Sequence, residues 1–332
     1  MSNIKISILM PAYNSEEFIS RSIESVIKQS FLNFELIIVD DGSRDATKEI
    51  VNMYKHNNNK IKLFTKSNSG ITETLNFGLK KCKGEWIARL DSDDLSRFDR
   101  LEKQLLIAES NRNTGLVGSD AIFIDSLDNN LYSFSYPSTH KELTNNLLSC
   151  KKFFPHSSAF FNRELVESIG AYRQRAGISE DWDLWLRLAS KSKIINIKKP
   201  LLKIRIHENR ISNKNSLKQS FDTRFVIVAN LLSTKKNYDP LDLLSDEEFI
   251  NYKNYIEIFL EKLGFSDYLK FISFLKNPIL KRIILPTFFL RNITRPFYIY
   301  SFIKLKFFSK SIQIKIAKSY YDRFIRNSKL IK

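Results

Sequence analysis

Residues 4–14 read IKISILMPAYN, an apolar run over 4–10 that is β-branched at several positions and closes on Pro11-Ala12-Tyr13-Asn14. A short apolar run bounded by a proline and polar residues predicts a buried strand. Asn14 or Ser15 stands where a helix N-cap belongs, and Ile19, Ile23, Val26 and Ile27 follow at helical spacing. A second buried strand covers 35–39 and ends at Asp40-Asp41-Gly42-Ser43. After another helix come a strand near 61–65, a helical stretch over 71–81, and a strand at 86–90 that runs into Asp91-Ser92-Asp93-Asp94. This alternation predicts an α/β domain with a mostly parallel central sheet and helices on both faces. Ligands of such sheets bind at the carboxyl ends of the strands. The three polar strand ends are therefore expected on one edge, where chemistry would take place.

The chain of 332 residues, 43% of them apolar, has room for a catalytic domain and an appendage. Its two cysteines, Cys82 and Cys150, form no close-spaced pair, which suggests a reducing, cytoplasmic setting and not a disulfide scaffold. The first residues, MSNIKISILM, show no signal-peptide pattern, and no uncharged apolar window reaches the ~18 residues of a spanning helix. The charge is uneven. Residues 276–332 hold 14 Lys and Arg against one acid, Asp322, and so carry +13 of the net +17. The basic pI is thus a property of the tail, and nucleic acid is not the expected partner. From about residue 216 the texture turns helical. Ser245 and Glu248 form a capping box, Phe249, Tyr252, Ile256, Phe259, Leu260 and Leu263 share one face, and Gly264 stands as a stop. A second amphipathic segment covers 265–275.

Three acidic clusters carry the candidate chemistry. Asp91, Asp93 and Asp94 at a strand end repel one another, and a hard divalent cation such as Mg²⁺ or Mn²⁺ relieves that repulsion. An acidic turn or a helix cap would need the same residues. Asp40-Asp41-Gly42-Ser43 reads equally as an acid for a ribose or base edge and as a glycine turn before a helix capped by Asp45 or Thr47. Glu180-Asp181 precedes Trp182-Asp183-Leu184-Trp185-Leu186. It suits either the start of a helix, where anions are stabilised, or a general base at the mouth of a pocket walled by tryptophan. His56, His140 and His156 lie far apart in sequence and read as structural. His207 ends the strand-like Lys203-Ile204-Arg205-Ile206-His207 and could return to a metal site. No G-x-G-x-x-G or G-x-x-x-x-G-K-[ST] occurs, which disfavours dinucleotide oxidoreductases and P-loop phosphotransferases.

Seven stretches in register resemble family 2 of the glycosyltransferases, the GT-A fold: SILMPAYN at 7–14, VDDGSRDAT at 39–47, NSGITETLNFGL at 68–79, GEWIARLDSDD at 84–94, HSSAFFNRELVESIGAY at 156–172, SEDWDLWLRLA at 179–189 and IRIH at 204–207. The resemblance implies an inverting, metal-dependent enzyme that moves a sugar from a nucleotide-diphosphate sugar, with UDP-sugar favoured, to a hydroxyl. It implies that Pro11, Tyr13 and Asn14 line the uracil and ribose pocket and that Asp41 binds base or ribose. Arg89, Asp91 and Ser92 would face the sugar and phosphates. Asp93, Asp91 and His207 would hold Mn²⁺ or Mg²⁺. Asp181 would be the catalytic base, with Glu180 positioning acceptor or donor. The catalytic domain would cover 1–215, with a nucleotide-sugar half over 1–95 and an acceptor half over 96–215. A helical appendage over 216–332 would follow. The acceptor would be a glycan or a lipid-linked saccharide of bacterial surface polysaccharide or lipopolysaccharide.

The tail at 276–332 mixes eleven Phe and Tyr with its fourteen cations, a composition that suits docking on the anionic inner face of the cytoplasmic membrane. Packing of the tail on the protein, or a homo-oligomer, would use the same residues. Two rival functions remain. A sugar nucleotidyltransferase would carry a glycine-rich loop where this chain has Pro11-Ala12-Tyr13-Asn14-Ser15. A non-catalytic polyanion-binding protein explains the tail but not three acidic strand ends in a nearly neutral domain.

Overall fold

The computed structural model describes residues 4–207, 216–232 and 240–262. They fall into two compact units, divided between Ser216 and Leu217. In the first, the strands are β1 (Ile6–Ala12), β2 (Phe34–Asp40), β3 (Ile61–Thr65), β4 (Trp86–Arg89), β5 (Leu95–Ser96), β6 (Thr114–Ile124), β7 (Asn130–Phe134), β8 (Phe160–Asn162) and β9 (Lys193–Arg205). The helices are α1 (Ile19–Ile27), α2 (Thr47–Asn57), α3 (Ile71–Leu79), α4 (Arg100–Ser110), α5 (His140–Leu148), α6 (Arg163–Ser168) and α7 (Glu180–Lys191). One sheet runs β3-β2-β1-β4-β8-β6-β9-β5, with β7 added to β6.

The parallel half is the one predicted from the alternation. β1 lies between β2 and β4, with β3 outside β2, all parallel. β1 and β2 are buried at every position, which is why their sequences are continuous apolar runs and not alternating ones. Beyond β4 the sheet becomes mixed. β8 runs antiparallel to both β4 and β6, β5 antiparallel to β9, and β9 parallel to β6. The long β9 thus carries the chain back beside the end of β4.

Pro11 sits inside a central strand, where a missing N–H normally breaks a ladder. Here it breaks none. The carbonyl of Leu9 accepts from Leu90, so the backbone of residue 11 also faces β4, and β4 has already ended opposite Leu9. The proline marks the point where β1 and β4 part and a cleft opens.

One expectation about α1 is corrected. Neither Asn14 nor Ser15 caps it through a side chain; the N-cap is Phe18, with no side-chain cap bond. Both side chains are engaged elsewhere, as described below. The capping box at Ser245 and Glu248 is present at the start of a helix over Asp246–Lys262, with Glu248 N–H donating to Ser245 Oγ and Ser245 N–H to Glu248 Oε2. That second unit also holds helices α8 (Ser216–Leu232) and α9 (Pro240–Leu243), so the helix over Asp246–Lys262 is α10. Tyr252 and Ile256 on its predicted face are buried. Gly264, the segment 265–275 and the tail 276–332 lie outside the described residues. Among the described residues no helix is long and apolar enough to cross a membrane, and both cysteines are free thiols.

The turn into β4 tolerates no side chain at Gly84. A Cβ there would lie 2.3 Å from Ser7 N and 2.6 Å from the Ile6 carbonyl carbon, both main chain of β1. Backbone cannot swing aside as a side-chain tip can. Gly84→Ala is expected to destabilise the domain by about 1–3 kcal/mol, read as a lowered Tm; an unchanged Tm would contradict so close an approach.

Candidate functional site

Two loops at the carboxyl edge are stitched together before any ligand is considered. Asn14 adopts φ 47, in the left-handed region that asparagine tolerates. Its N–H donates to Ser43 Oγ and its Oδ1 accepts from Arg44 N–H. Ser15 N–H donates to Thr47 Oγ1. The first strand end is therefore tied to the Asp40-Asp41-Gly42-Ser43 turn. Gly42 has φ 75, and a Cβ on it would lie 2.9 Å from Asn68 N, so this turn requires glycine. Asp41 is buried. Its carboxylate accepts from the N–H groups of Ser69 and Gly70 and pairs with Lys66. Asp41 thus orders the 66–70 loop, and its acceptor capacity is largely engaged within the protein. Tyr13 stands exposed beside this pair of loops.

The turn after β4 is held from all sides. Asp91 N–H donates to Ser157 Oγ, Ser22 Oγ donates to the Ser92 carbonyl, and Ser92 Oγ lies 2.8 Å from Ser15 Oγ. Carboxylate oxygens of Asp91, Asp93 and Asp94 lie within 4.8 Å of one another. His207 Nε2 lies 2.8 Å from Asp93 Oδ2. Arg89, buried at the last position of β4, pairs with Asp91. Asp94 is buried and accepts from Arg205 N–H; burial, then the charges of Asp93 and Asp91, push its carboxyl well above the usual range. Three crowded carboxyls with one imidazole form a hard, oxygen-rich donor set, which fits Mg²⁺ or Mn²⁺.

The second acidic centre is the N-terminus of α7. Glu180 is buried with no hydrogen-bond partner on Oε2. Burial, then the charge of Asp181, push its carboxyl up to about 8. Burial likewise pushes Asp181 up to about 6, against the hydrogen bond from Trp182 N–H and the positive charge of Arg89. Both residues lie near enough for the charges of Arg89 and Asp91 to act on them, which places them beside the acidic turn of β4. Buried Tyr172 feels the charges of Arg89, Glu180, Asp181 and Asp91, and its hydroxyl lies 2.8 Å from His156 Nε2. Burial, then Arg89, hold the imidazole well below its usual pKa, so it is neutral. Asn76 clamps the Tyr172 backbone in both directions.

The tryptophan-walled pocket is corrected. Trp185 is core, packed on Phe154, Phe161 and His156. Trp182 Nε1 donates to the Leu147 carbonyl and anchors α5. Asp183, the third acid of this run, is also structural: fully buried, it pairs with Arg173 and Arg187. Arg187 in turn donates to the carbonyls of Ile169 and Ala171 and so fixes the turn that presents Tyr172.

The sequence candidates thus separate into three groups. Arg89, Asp91, Ser92, Asp93 and His207 meet at one turn. Glu180 and Asp181 meet beside it. Pro11, Tyr13, Asn14 and Asp41 line the neighbouring loops. Ser22, Ser157 and Arg205 hold the acidic turn in place but were not singled out by the sequence. Only Ser157 and Arg205 carried a signal, inside the HSS and IRIH stretches.

The sheet order, with its parallel half and the acidic turn at its edge, is that of the GT-A glycosyltransferase fold. A family model described as Glycosyl transferase family 2 matches residues 7–170. The O-antigen biosynthesis glycosyltransferase WbnJ of Escherichia coli is 32% identical over 218 residues, covering 64% of this chain and 83% of its own. The putative glycosyltransferase EpsE of Bacillus subtilis is 32% identical over 235 residues, covering 68% and 81%. The chain belongs to glycosyl transferase family 2. Solved structures share the fold: S. aureus TarS 1-349 in complex with UDP-GlcNAc (TM-score 0.60, 16% identity, 97% of this chain and 92% of that one). A second is the mannosyltransferase PcManGT from Pyrobaculum calidifontis in complex with GDP-Man and Mn²⁺ (TM-score 0.55, 15% identity, 96% and 87%).

Proposed function

We propose that the chain transfers a sugar, with inversion, from a nucleoside-diphosphate sugar to a hydroxyl of a glycan or lipid-linked acceptor, and that its donor is a UDP-sugar. The observation that carries this reading is the placement of a carboxylate pair, buried Glu180 and half-buried Asp181, at the start of α7 beside the crowded acidic turn of β4. One site can then accept a proton while the other faces a diphosphate. The naming of relatives as O-antigen and putative glycosyltransferases supports a surface-glycan acceptor. A TarS complex with UDP-GlcNAc supports a UDP-sugar donor, and the PcManGT complex supports Mn²⁺.

In this reading Pro11, Tyr13 and Asn14 border the nucleoside, and Asp41 holds the 66–70 loop against it. Asp91 and Asp93, with His207, would hold the divalent cation. Such a cation, when bound, supplies positive charge opposite the leaving diphosphate. Asp181 accepts the proton of the acceptor hydroxyl as its oxygen bonds to the anomeric carbon, while the bond to the diphosphate breaks and the electron pair leaves with the nucleotide. Glu180, protonated near neutrality, donates a hydrogen bond to a sugar or acceptor oxygen and leaves Asp181 as the ionised partner. Arg89 stands between the two centres and favours the ionised form of Asp181.

The reading is tested by nucleotide release from a panel of sugar nucleotides with Mn²⁺, with Mg²⁺ and with EDTA. Slow hydrolysis of one UDP-sugar, lost in EDTA, is expected. Release from no donor, together with no metal-dependent UDP binding, would overturn it.

A further inference from the structure

Arg205 is fully buried at the end of β9; Nε and Nη1 are hydrogen-bonded, and Nη2 is engaged by an ion pair alone. Nε donates to the Asp93 carbonyl at 2.9 Å, and Nη1 to the carbonyls of Asp125 (2.8 Å) and Ser126 (3.2 Å). Nη2 pairs with Asp128 at 2.5 Å. The ring of Phe18 covers its face, 4.6 Å from Cζ. The Arg205 main-chain N–H donates to Asp94 Oδ1. Two residues on, His207 reaches Asp93 Oδ2, and its ring packs on the same Phe18 at 5.0 Å. Residues 205–207 therefore grip Asp93 and Asp94 at three points. The counter-charge for this grip comes from Asp128, in the turn between β6 and β7, far from the acidic turn in sequence and on a separate element.

We propose that Asp128 and Arg205 are positioning residues for Asp93: the β6–β7 turn sets the geometry of the acidic turn through one ion pair between buried Arg205 and half-buried Asp128. The proposal rests on the reading of Asp93 as a cation ligand. A buried guanidinium needs a compensating anion. While Asp128 supplies it, Arg205 points away from the carboxylates and offers Asp93 only a main-chain bond. Without Asp128, the Asp125 carboxylate, which already feels the Arg205 charge from a half-buried position, compensates only in part, and the other acids beside Arg205 are Asp93 and Asp94 of the turn it binds. Arg205 would turn toward them and compete with a divalent cation for the same oxygens. Arg21 contributes less. It also pairs with Asp128, at 3.1 Å, but is partly exposed and bonds the Ser126 carbonyl, not the acidic turn.

Asp128 has φ 71, so alanine there would strain the backbone and confuse the result. Asparagine tolerates that conformation and keeps a hydrogen-bond acceptor, which makes Asp128→Asn a change of charge alone. Arg205→Lys keeps the charge but has no fork to span Asp93, Asp125 and Asp128 together. The experiment titrates full-length wild type, Asp128→Asn, Arg205→Lys, Arg21→Gln and Asp93→Ala with Mn²⁺ in the presence of UDP, and with UDP alone in EDTA, beside a thermal melt of each. Asp128→Asn is expected to raise the Mn²⁺ Kd by roughly 10–100-fold, the range for groups that support a metal ligand. UDP affinity in EDTA should stay unchanged, and turnover should return at saturating Mn²⁺. A purely structural defect would lower Tm without recovery by metal. Arg21→Gln should shift the Kd by less than Asp128→Asn. If Arg205→Lys does not fold, Asp128→Asn decides alone. A folded Asp128→Asn protein with wild-type Mn²⁺ affinity, beside an Asp93→Ala protein that has lost it, would overturn the positioning role and leave the metal site standing. Wild-type affinity in Asp93→Ala would overturn both.

Discussion

Asp181→Asn is expected to abolish sugar transfer, by roughly 10³-fold or more, while nucleotide binding in Mn²⁺ stays near wild type. General-base catalysis alone contributes ~10²–10⁴-fold, and an amide cannot take the proton. The wild-type rate should fall about tenfold per pH unit below about 6, where burial has set the Asp181 carboxyl. The same burial makes a second, opposite expectation. A carboxyl whose folded pKa is raised binds its proton more tightly in the native state. Stability therefore falls as pH rises from the unfolded value, 3.8, through about 6, and the full penalty is present at pH 8. Asp181→Asn removes that penalty. The variant should be more stable than wild type at pH 8, by a margin on the order of 3 kcal/mol at most, shrinking toward zero near pH 4. A dead enzyme that is more stable at high pH is what a base held against its solvation preference predicts. A variant with near-normal transfer would remove Asp181 from the role.

Asp93→Ala should also abolish transfer, but by the opposite route. Asp93 is the acid that His207 reaches and whose carbonyl Arg205 holds. Its loss should weaken UDP binding in Mn²⁺ by at least about a hundredfold, since even supporting residues of a metal site typically cost 10–100-fold. In EDTA, wild type and variant should bind UDP alike. Thermal stability should not fall as a core substitution would make it, because Asp93 stands in a cluster of like charges whose repulsion the alanine relieves. Equal UDP affinity with and without Mn²⁺ in the wild type would contradict the metal site. The two variants thus separate base from cation: Asp181→Asn leaves metal-dependent binding intact, and Asp93→Ala removes it.

The parallel half of the sheet was legible because β1, β2 and β4, buried at every position, are written as apolar runs that each end on a polar turn. The mixed half was not. β8 is three residues long and β5 two, too short for any periodicity, and β9 alternates only in part. The acidic clusters were legible as clusters, but spacing alone could not tell Asp181 from Asp183. One is poised beside Arg89, and the other is locked between Arg173 and Arg187. Trp185 read as a pocket wall because tryptophan serves both purposes; its packing on Phe154, Phe161 and His156 decides for core. Asn14 and Ser15 read as caps because their side chains suit caps, yet both are taken by loops about 30 or more residues away in sequence, a competition no local pattern records. Arg205 was invisible as a functional residue for the same reason: its partners come from three separate segments.

Proton NMR of the sugar freshly released from an α-linked UDP-sugar, recorded before mutarotation, bears most directly on a single displacement with Asp181 as base. Inversion, seen as the β-anomer first, is the predicted result. An α-anomer appearing first would mean two displacements or front-side attack, and would contradict the mechanism assigned to Asp181.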